Sequence, residues 1–182
     1  GEGDKPVIAH TSENDHYLFS LIDNDYVTLE GLKFDDLNHD GDTLYYYGGI
    51  LIQNSTNIQV IDCEIANFAK YGIYIEDASS HIEIQDNDVY HNQGFESPEL
   101  SVYGIYGSNY NSEAVDLLVD GNTIYNIKSH NSSVYGIRVT GFTSQISNNM
   151  IMLNSPEKAY GLRFDGFSGK TIEAHFNTVF LT

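Results

Sequence analysis

Four side chains recur at one position of a short repeated motif and together could bind a sugar. The motif reads YGIYI at 71–75, YGIYG at 103–107, YGIRV at 135–139 and YGLRF at 160–164. Its fourth residue is, in turn, Tyr74, Tyr106, Arg138 and Arg163. Tyrosine rings can stack on the apolar faces of pyranoses, and an arginine fork can bind hydroxyls or carboxylates through two hydrogen bonds. If the motif stacks on itself, these side chains form one outward column suited to a glycan.

The same column could hold the groups of a polysaccharide lyase. Such an enzyme needs a base, for which Lys, Arg, Tyr or His can serve, and a positive charge beside the uronate carboxylate. Lys70 and Lys158, which precede two copies of the motif, add to this set. Exposed Tyr and Arg also suit an ordinary solvated strand. The column therefore predicts either a glycan-binding face or a plain scaffold surface.

A second candidate site lies in the acidic segment DLNHDGD at 36–42. Its oxygen-bearing side chains are Asp36, Asn38, Asp40 and Asp42. Ligands at alternate positions followed by Gly41 resemble the first half of an EF-hand-type Ca²⁺ loop. The glutamate that closes such a loop is absent, and Tyr47 stands in its place, so Ca²⁺ would need a ligand from elsewhere. The alternative is a surface turn rich in Asn and Asp.

These candidate residues lie on a repeat that runs through the chain. A second segment also recurs, with apolar residues at alternate places, a polar turn and an apolar close. Its copies are VTLEGLKF (27–34), IQVIDCEI (58–65), IEIQDNDV (82–89), LLVDGNTI (117–124), SQISNNMI (144–151) and IEAHFNTV (172–179). The starts are 31, 24, 35, 27 and 28 residues apart. Loops of variable length inserted into a coil of fixed size produce such spacing, which is typical of stacked repeats.

The alternation with a period of two indicates strands rather than helices. Each repeat accommodates three short strands, called a, b and c after HIEI (81–84), NDV (87–89) and YGIYI (71–75). Each strand can pair with its counterpart in the next coil, about 4.8 Å away. The sequence therefore predicts an all-β parallel β-helix of about six coils.

Stacked coils should place equivalent residues in ladders. The expected interior column of strand c is Ile73, Ile105, Ile137 and Leu162. The expected turn ladder is Asn87, Asn122, Asn149 and Asn177, with Cys63 in register. The glycine of each YG motif is expected to face outward beside the column of Tyr74. Two residues beyond that column, the next outward position reads Gln53, Glu76, Ser108, Thr140 and Asp165.

Four long insertions flank strand c, at 35–46, 91–102, 108–115 and 127–134. Long loops beside a flat strand face would form the walls of a groove. Four stacked coils span about 15 Å, which is enough for about three sugar units along the stack.

The repeat unit G-I-x-I-x-x-(S)-S-x-x-I-x-I-x-x-N-x-(I/V) resembles that of right-handed parallel β-helix proteins. That superfamily includes pectate-lyase-like and polygalacturonase-like secreted enzymes and many surface proteins. The resemblance covers the chain from about residue 17 and implies a right-handed solenoid in an extracellular or cell-surface protein. Its matching residues are scaffold residues, so it says more about fold than about activity.

The resemblance argues against one enzyme class. In polygalacturonase-like hydrolases, catalytic aspartates lie just before and within the strand that resembles strand c, in NTDG- and DD-type motifs. The corresponding positions here read AKYG, SVYG, SVYG and KAYG. The paired carboxylates that hydrolysis needs are missing. A lyase-like activity on polysaccharide stays open, and so does a non-catalytic surface stalk or adhesin.

Charge and length limit the remaining classes. With 8 Lys and Arg against 26 Asp and Glu, the net charge of −18 repels phosphate backbones and excludes nucleic acid as an expected partner. No apolar run is long enough to predict a transmembrane segment. The 182 residues are predicted to form one domain, 1–182, as a segment of a longer solenoid. Its open ends are expected to be covered by further chain or a partner.

Overall fold

A computed structural model describes most of the chain. The described residues are 5–9, 17–35, 48–91, 101–110, 116–129, 132–155, 158–166 and 168–182. Within them, nineteen strands form three sheets, and every strand pairing is parallel. In the same residues, no helix is long and apolar enough to span a membrane.

The three sheets correspond to strands a, b and c of the repeat, with strands numbered in chain order. Sheet b contains β1 (Val7–Ile8), β4 (Lys33–Asp35), β7 (Glu64–Ala66), β10 (Asp88–Tyr90), β13 (Thr123–Tyr125), β16 (Met150–Leu153) and β19 (Thr178–Leu181). Sheet c contains β2 (Tyr17–Ile22), β5 (Gly48–Gln53), β8 (Tyr71–Glu76), β11 (Val102–Ser108), β14 (Val134–Thr140) and β17 (Ala159–Asp165). Sheet a contains β3 (Asp25–Glu30), β6 (Thr56–Ile61), β9 (Ser80–Gln85), β12 (Asp116–Asp120), β15 (Thr143–Ser147) and β18 (Ile172–His175).

The chain visits sheets c, a and b in that order and then begins the next coil one strand further along each sheet. This confirms the predicted parallel β-helix with three short strands per coil. Six stacked strands have five steps between them, so sheets a and c contain about five full turns, slightly fewer than the six coils expected.

The core lies inside the coil and is made of stacked aliphatic columns. Ile105 pairs in register with Ile73 on one side and with Ile137 on the other, and Ile137 pairs with Leu162. The first three are fully buried, and Leu162 packs against them at the end of the sheet. The predicted interior column of strand c is therefore confirmed.

The turn between sheets a and b is stabilised by the predicted asparagine ladder. The amide group of Asn122 donates to the Ile84 carbonyl at 2.9 Å and to Oδ1 of Asn149 at 3.0 Å. Asn87 and Asn149 bond in the same way, and the backbone N–H of Cys63 donates to Oδ1 of Asn87 at 2.9 Å. The residue before each member, such as Gly121 with φ of 69°, has left-handed backbone that makes the turn sharp. Buried polar groups of the turn are thus paired from coil to coil.

The glycine of the YG motif faces inward, so the expectation that it faces outward is wrong. A Cβ atom on Gly104 would lie 2.7 Å from the Gly136 carbonyl oxygen and 2.8 Å from the core methyl Cγ2 of Ile124. Gly72 and Gly136 have the same surroundings in their coils. Two successive residues, glycine and the aliphatic residue after it, therefore point into the core. The regular alternation breaks there, and the tyrosine before the glycine turns outward.

Apolar side chains are exposed in the last strand of sheet b, where Val179, Phe180 and Leu181 have relative exposures of 40%, 57% and 48%. The expectation that further chain or a partner covers the ends of the coil stays a prediction.

Candidate functional site

The outer face of sheet c carries a continuous group of aromatic and cationic side chains, called here the tyrosine–arginine ladder. Its members are Tyr71, Tyr74, Tyr103, Tyr106, Tyr135, Arg138, Tyr160 and Arg163. They come in pairs from β8, β11, β14 and β17. Each pair exists because the inward glycine leaves the first and fourth residues of Y-G-I-x on the same outer side.

The tyrosines that begin the motif form one stack along the coil axis. Ring centroids are 5.3 Å apart from Tyr71 to Tyr103, 4.7 Å from Tyr103 to Tyr135 and 4.8 Å from Tyr135 to Tyr160. The ring planes deviate from parallel by 26°, 8° and 6°. The register of the parallel strands places these residues directly opposite one another, so ring spacing follows strand spacing.

The tyrosines also stack within each coil. Tyr71 and Tyr74 lie 4.4 Å apart, and Tyr103 and Tyr106 lie 4.9 Å apart. As a result, only 9% of Tyr103 and 8% of Tyr106 is exposed, although both lie outside the core. Their faces are covered by neighbouring rings. A pyranose could stack flat on Tyr106 only after a neighbouring ring moved, and glycan contact at this residue stays a prediction.

In β14 and β17 the fourth residue of the motif is arginine instead of tyrosine, and these two arginines extend the ladder. The guanidinium carbon of Arg138 lies 5.3 Å from the Tyr106 ring and 5.6 Å from the Tyr135 ring. That of Arg163 lies 5.5 Å from the Tyr160 ring and 5.7 Å from the Tyr135 ring. Such cation–π contacts hold a guanidinium against the rings. Nη1 of Arg138 also donates to the Tyr103 hydroxyl at 3.4 Å.

Both arginines share one carboxylate, Asp165, which was not among the predicted site residues. Arg138 donates to Oδ2 from Nε at 2.8 Å and from Nη2 at 2.6 Å, and Nε of Arg163 donates to Oδ1 at 3.2 Å. The sequence places Asp165 as the last member of the neighbouring outward column. It does not predict the ion pair with Arg138, because Arg138 belongs to the preceding coil. The three groups together keep one net positive charge.

The ionisation of these groups follows from this pairing. Partial burial alone would raise the pKa of Asp165, but the two arginines outweigh it and the pKa is lowered. Burial alone would lower the pKa of Arg138, but the hydrogen bond and charge of Asp165 raise it. All three groups therefore stay charged over a wide pH range.

The tyrosines of the fourth position are poor candidates for a base. Burial, followed by a hydrogen bond and charge repulsion from Glu76, raises the pKa of Tyr74. Burial also raises the pKa of Tyr106, even though Ser108 and Arg138 act in the opposite direction. A catalytic base needs a pKa near the working pH. Both phenols stay protonated and act as hydrogen-bonding groups instead.

The other predicted residues of this face are less closely joined to the ladder. The Lys70 ammonium lies 5.2 Å from the Tyr71 ring and so extends the cationic character to the other end. Lys158 is exposed just before β17, and among the described residues no contact joins its side chain to the ladder. The structure thus groups Tyr74, Tyr106, Arg138 and Arg163 as predicted, with Lys70 at the edge and Lys158 outside.

Several predicted features fall outside the described residues. These are the proposed Ca²⁺ ligands Asp36, Asn38, Asp40 and Asp42, and most of the insertions at 35–46, 91–102 and 108–115 that were expected to wall the groove. Among the residues that are described, no group of three or more His, Cys, Asp and Glu could hold a metal ion. The Ca²⁺ loop and the groove walls stay predictions.

Comparison with known proteins identifies the architecture. A family model described as a right-handed β-helix region matches residues 7–179. No curated protein matches the chain. The crystal structure of an alginate lyase from Paenibacillus sp. str. FPU-7 is similar at 13% sequence identity, covering 98% of this chain and 81% of that one, with a TM-score of 0.45. A likeness of this degree says nothing about the activity of this chain.

Proposed function

Because the chain belongs to the right-handed β-helix family, whose coils stack side chains in columns, we propose that its tyrosine–arginine ladder binds a polysaccharide. The observation that carries the proposal is the pair of outward guanidinium groups set among tyrosine rings on one flat face. The side chain of Arg138 is 22% exposed and that of Arg163 is 37% exposed, so a ligand can reach both.

The chemistry of the face favours an acidic glycan. Arg138, Arg163 and Asp165 carry one net positive charge in a chain whose net charge is −18. Guanidinium groups bind carboxylates through paired hydrogen bonds. A uronate carboxylate reaching this face would share or replace the bonds that Asp165 makes. The equal spacing of the coils suits a polymer that lies along the stack and repeats its contacts.

Recognition rather than catalysis is supported by the ionisation of the face. The phenols of Tyr74 and Tyr106 have raised pKa values, and the arginines are held in the charged form by Asp165. Neither group is prepared to take a proton near neutral pH. The proposal is therefore recognition of carbohydrate by a protein located outside the cell or on its surface, as the sequence resemblance implies.

A second candidate function, a rigid surface stalk or adhesin, is favoured by the internal pairing of the ladder. Ring faces are covered by other rings, and both arginines already have a carboxylate partner. A ladder of this kind stabilises four coils whether or not a ligand binds. In that role the outer face of sheet c would only stabilise the stacked coils, and ligands would bind elsewhere or not at all.

Calorimetric titration with oligosaccharides separates the two functions. We expect an acidic oligosaccharide to bind and Arg138→Ala to weaken it tenfold or more, with a smaller effect on neutral glycans. Lys158→Ala is the matched control, because it removes one positive charge near the same strand without touching the ladder. Equal losses of affinity in the two variants would mean that the overall positive charge near the strand, and not the ladder, attracts the oligosaccharide. Absence of binding would favour the stalk, and unsaturated products absorbing in the ultraviolet would show a lyase.

A further inference from the structure

Sheet a carries a cavity that the tyrosine–arginine ladder does not use. Its volume is about 470 Å³, within the usual range of small-ligand pockets. It lies along three neighbouring strands, β12, β15 and β18. The side chains that matter for its chemistry are Asp116, Leu118, Thr143, Gln145, Thr171 and Glu173.

Strand register arranges this lining in two rows. Asp116 stands opposite Thr143 in one row, and Leu118, Gln145 and Glu173 stand opposite one another in the other. Residues two apart on one strand share a face, so both rows point outward from sheet a. The result is a small area with an apolar side chain, an amide and a hydroxyl between two carboxylates.

The charge of the cavity is negative at both ends. Among the described lining residues, Asp116 and Glu173 are the charged ones, and their side chains are 66% and 63% exposed. His81 lies 3.9 Å from Asp116, and His175 lies 3.7 Å from Glu173, but an imidazole is cationic only when protonated. Lys170 precedes Thr171 in the chain and is not part of the lining. A cationic ligand is therefore favoured over an anionic one.

The distance between the carboxylates decides what kind of cation fits. Asp116 and Glu173 stand on strands two steps apart and in different rows, two residues apart along the strand, so their backbones are separated by about 12 Å. A single Ca²⁺ ion binds oxygens at about 2.3–2.6 Å and cannot easily serve both. A ligand that fits both carboxylates is therefore extended, carries positive charge at both ends and has polar groups that hydrogen-bond to Thr143 and Gln145 between them.

We infer that this cavity binds a short basic oligosaccharide, such as a dimer of amino sugars with free amines. Each ammonium group would face one carboxylate, at Asp116 and at Glu173. The two sugar rings that carry these groups would contact Leu118 and hydrogen-bond to Gln145. This site lies on a different sheet from the ladder and prefers the opposite ligand charge, so it goes beyond the function proposed above.

The test compares two ligands of one shape. Calorimetric titration with glucosamine dimer, whose amines are free, should show binding at low salt. The N,N′-diacetylated dimer keeps the same backbone without the charges and should bind at least tenfold more weakly. Glu173→Gln and Asp116→Asn should each weaken the free-amine dimer tenfold or more, because each removes one carboxylate charge while keeping the side-chain shape.

Glu83→Gln is the matched control. Glu83 occupies the same outward column, opposite Leu118, but lies outside the cavity. It should leave binding unchanged. The inference is overturned if the acetylated dimer binds equally well, if Glu83→Gln costs as much as Glu173→Gln, or if no dimer binds to the intact chain. Since Asp116 and Glu173 are exposed, melting curves of the variants should match the parent, which separates loss of binding from loss of fold.

Discussion

The outer faces of sheets c and a are built on the same coils, yet their side chains behave differently. On sheet c, large rings and guanidinium groups cover one another until Tyr135 is only 7% exposed. On sheet a, polar side chains join neighbouring strands by hydrogen bonds, from Thr28 to Gln59 at 3.0 Å and from Gln59 to Glu83 at 2.8 Å, while Tyr26 remains 82% exposed. Equal strand spacing therefore does not dictate the surface. The reach of the side chains decides whether a column becomes a closed ladder or an open cavity.

The outer faces of sheets a and c cover one shared hydrophobic core. The core columns and the asparagine ladder pair each coil with the next whatever the outer residues are. This separation lets one fold carry a cationic face and an acidic cavity. Substitutions can therefore alter the outer face of sheet c without altering the cavity on sheet a, and the reverse.

The largest effect is expected from breaking the interior that the two faces share. Ile105→Asp places an unpaired carboxylate in a fully buried column between Ile73 and Ile137. Burying an uncompensated charge costs several kcal/mol. Urea denaturation should show a loss of at least about 3 kcal/mol, or no folded protein. Unchanged stability would contradict the interior position of this column.

The next effect should distinguish the closed ladder from the open face. Tyr103→Ala removes a ring that contacts Tyr71, Tyr106 and Tyr135 and should cost about 2–4 kcal/mol of unfolding free energy. Tyr26→Ala on sheet a, where the ring is mostly exposed, should cost about 0.5 kcal/mol or less. Equal losses would mean that stacking on sheet c adds nothing to stability.

A pH effect is expected at the corner between sheets b and c, where His91 is buried. Its Nδ1 accepts a bond from the Lys128 N–H at 3.2 Å, so the neutral ring carries its proton on Nε2, which donates to the Phe68 carbonyl at 3.0 Å. Burial lowers the pKa of His91 to about 3, while the Phe68 carbonyl opposes that shift. Protonating Nδ1 as well would place its N–H group against the Lys128 N–H group, so that two donors face each other. A histidine in a chain insertion, for which solvent contact is the usual expectation, is here part of the core.

Because the folded state binds its proton only near pH 3 and the unfolded state near pH 6.5, stability should be full above about pH 6.5 and fall as pH drops below it. Between pH 7 and pH 5 the loss from this group should be about 2 kcal/mol. His91→Gln should flatten this part of the curve, because glutamine has no group that titrates in this range. A parallel curve for His91→Gln and the parent would contradict the buried neutral imidazole.

The smallest effect concerns the acidic segment at 36–42. If Asp36, Asn38 and Asp40 bind Ca²⁺, a chelator should lower the melting temperature by a few degrees, since a ligand bound only to the folded state stabilises it. Asp40→Ala should abolish the sensitivity. Identical melting curves with and without chelator would show that the segment does not bind Ca²⁺ and is an ordinary turn.

Much of the architecture could be predicted because it depends on local patterns. Alternating apolar residues specify strands, and each asparagine follows a residue of left-handed backbone that marks a sharp turn. The order of the two motifs specifies the coil, and aligned copies such as Ile73 and Ile105 predict the register. The column of Tyr74, Tyr106, Arg138 and Arg163 follows from the same alignment.

The sequence by itself determined the coil, its interior columns and the four side chains of the predicted face, because each of these follows from a period that can be read along the chain. Only the tertiary structure decided which way the motif glycine points, since the close approach of the Gly136 carbonyl in the next coil, which leaves no room for a Cβ atom on Gly104, arises from coil stacking. It also decided that ring faces are covered and that Asp165 pairs with Arg138, 27 residues away. Such contacts depend on the stacking distance between coils and on side-chain reach, and no pattern within one repeat contains either quantity.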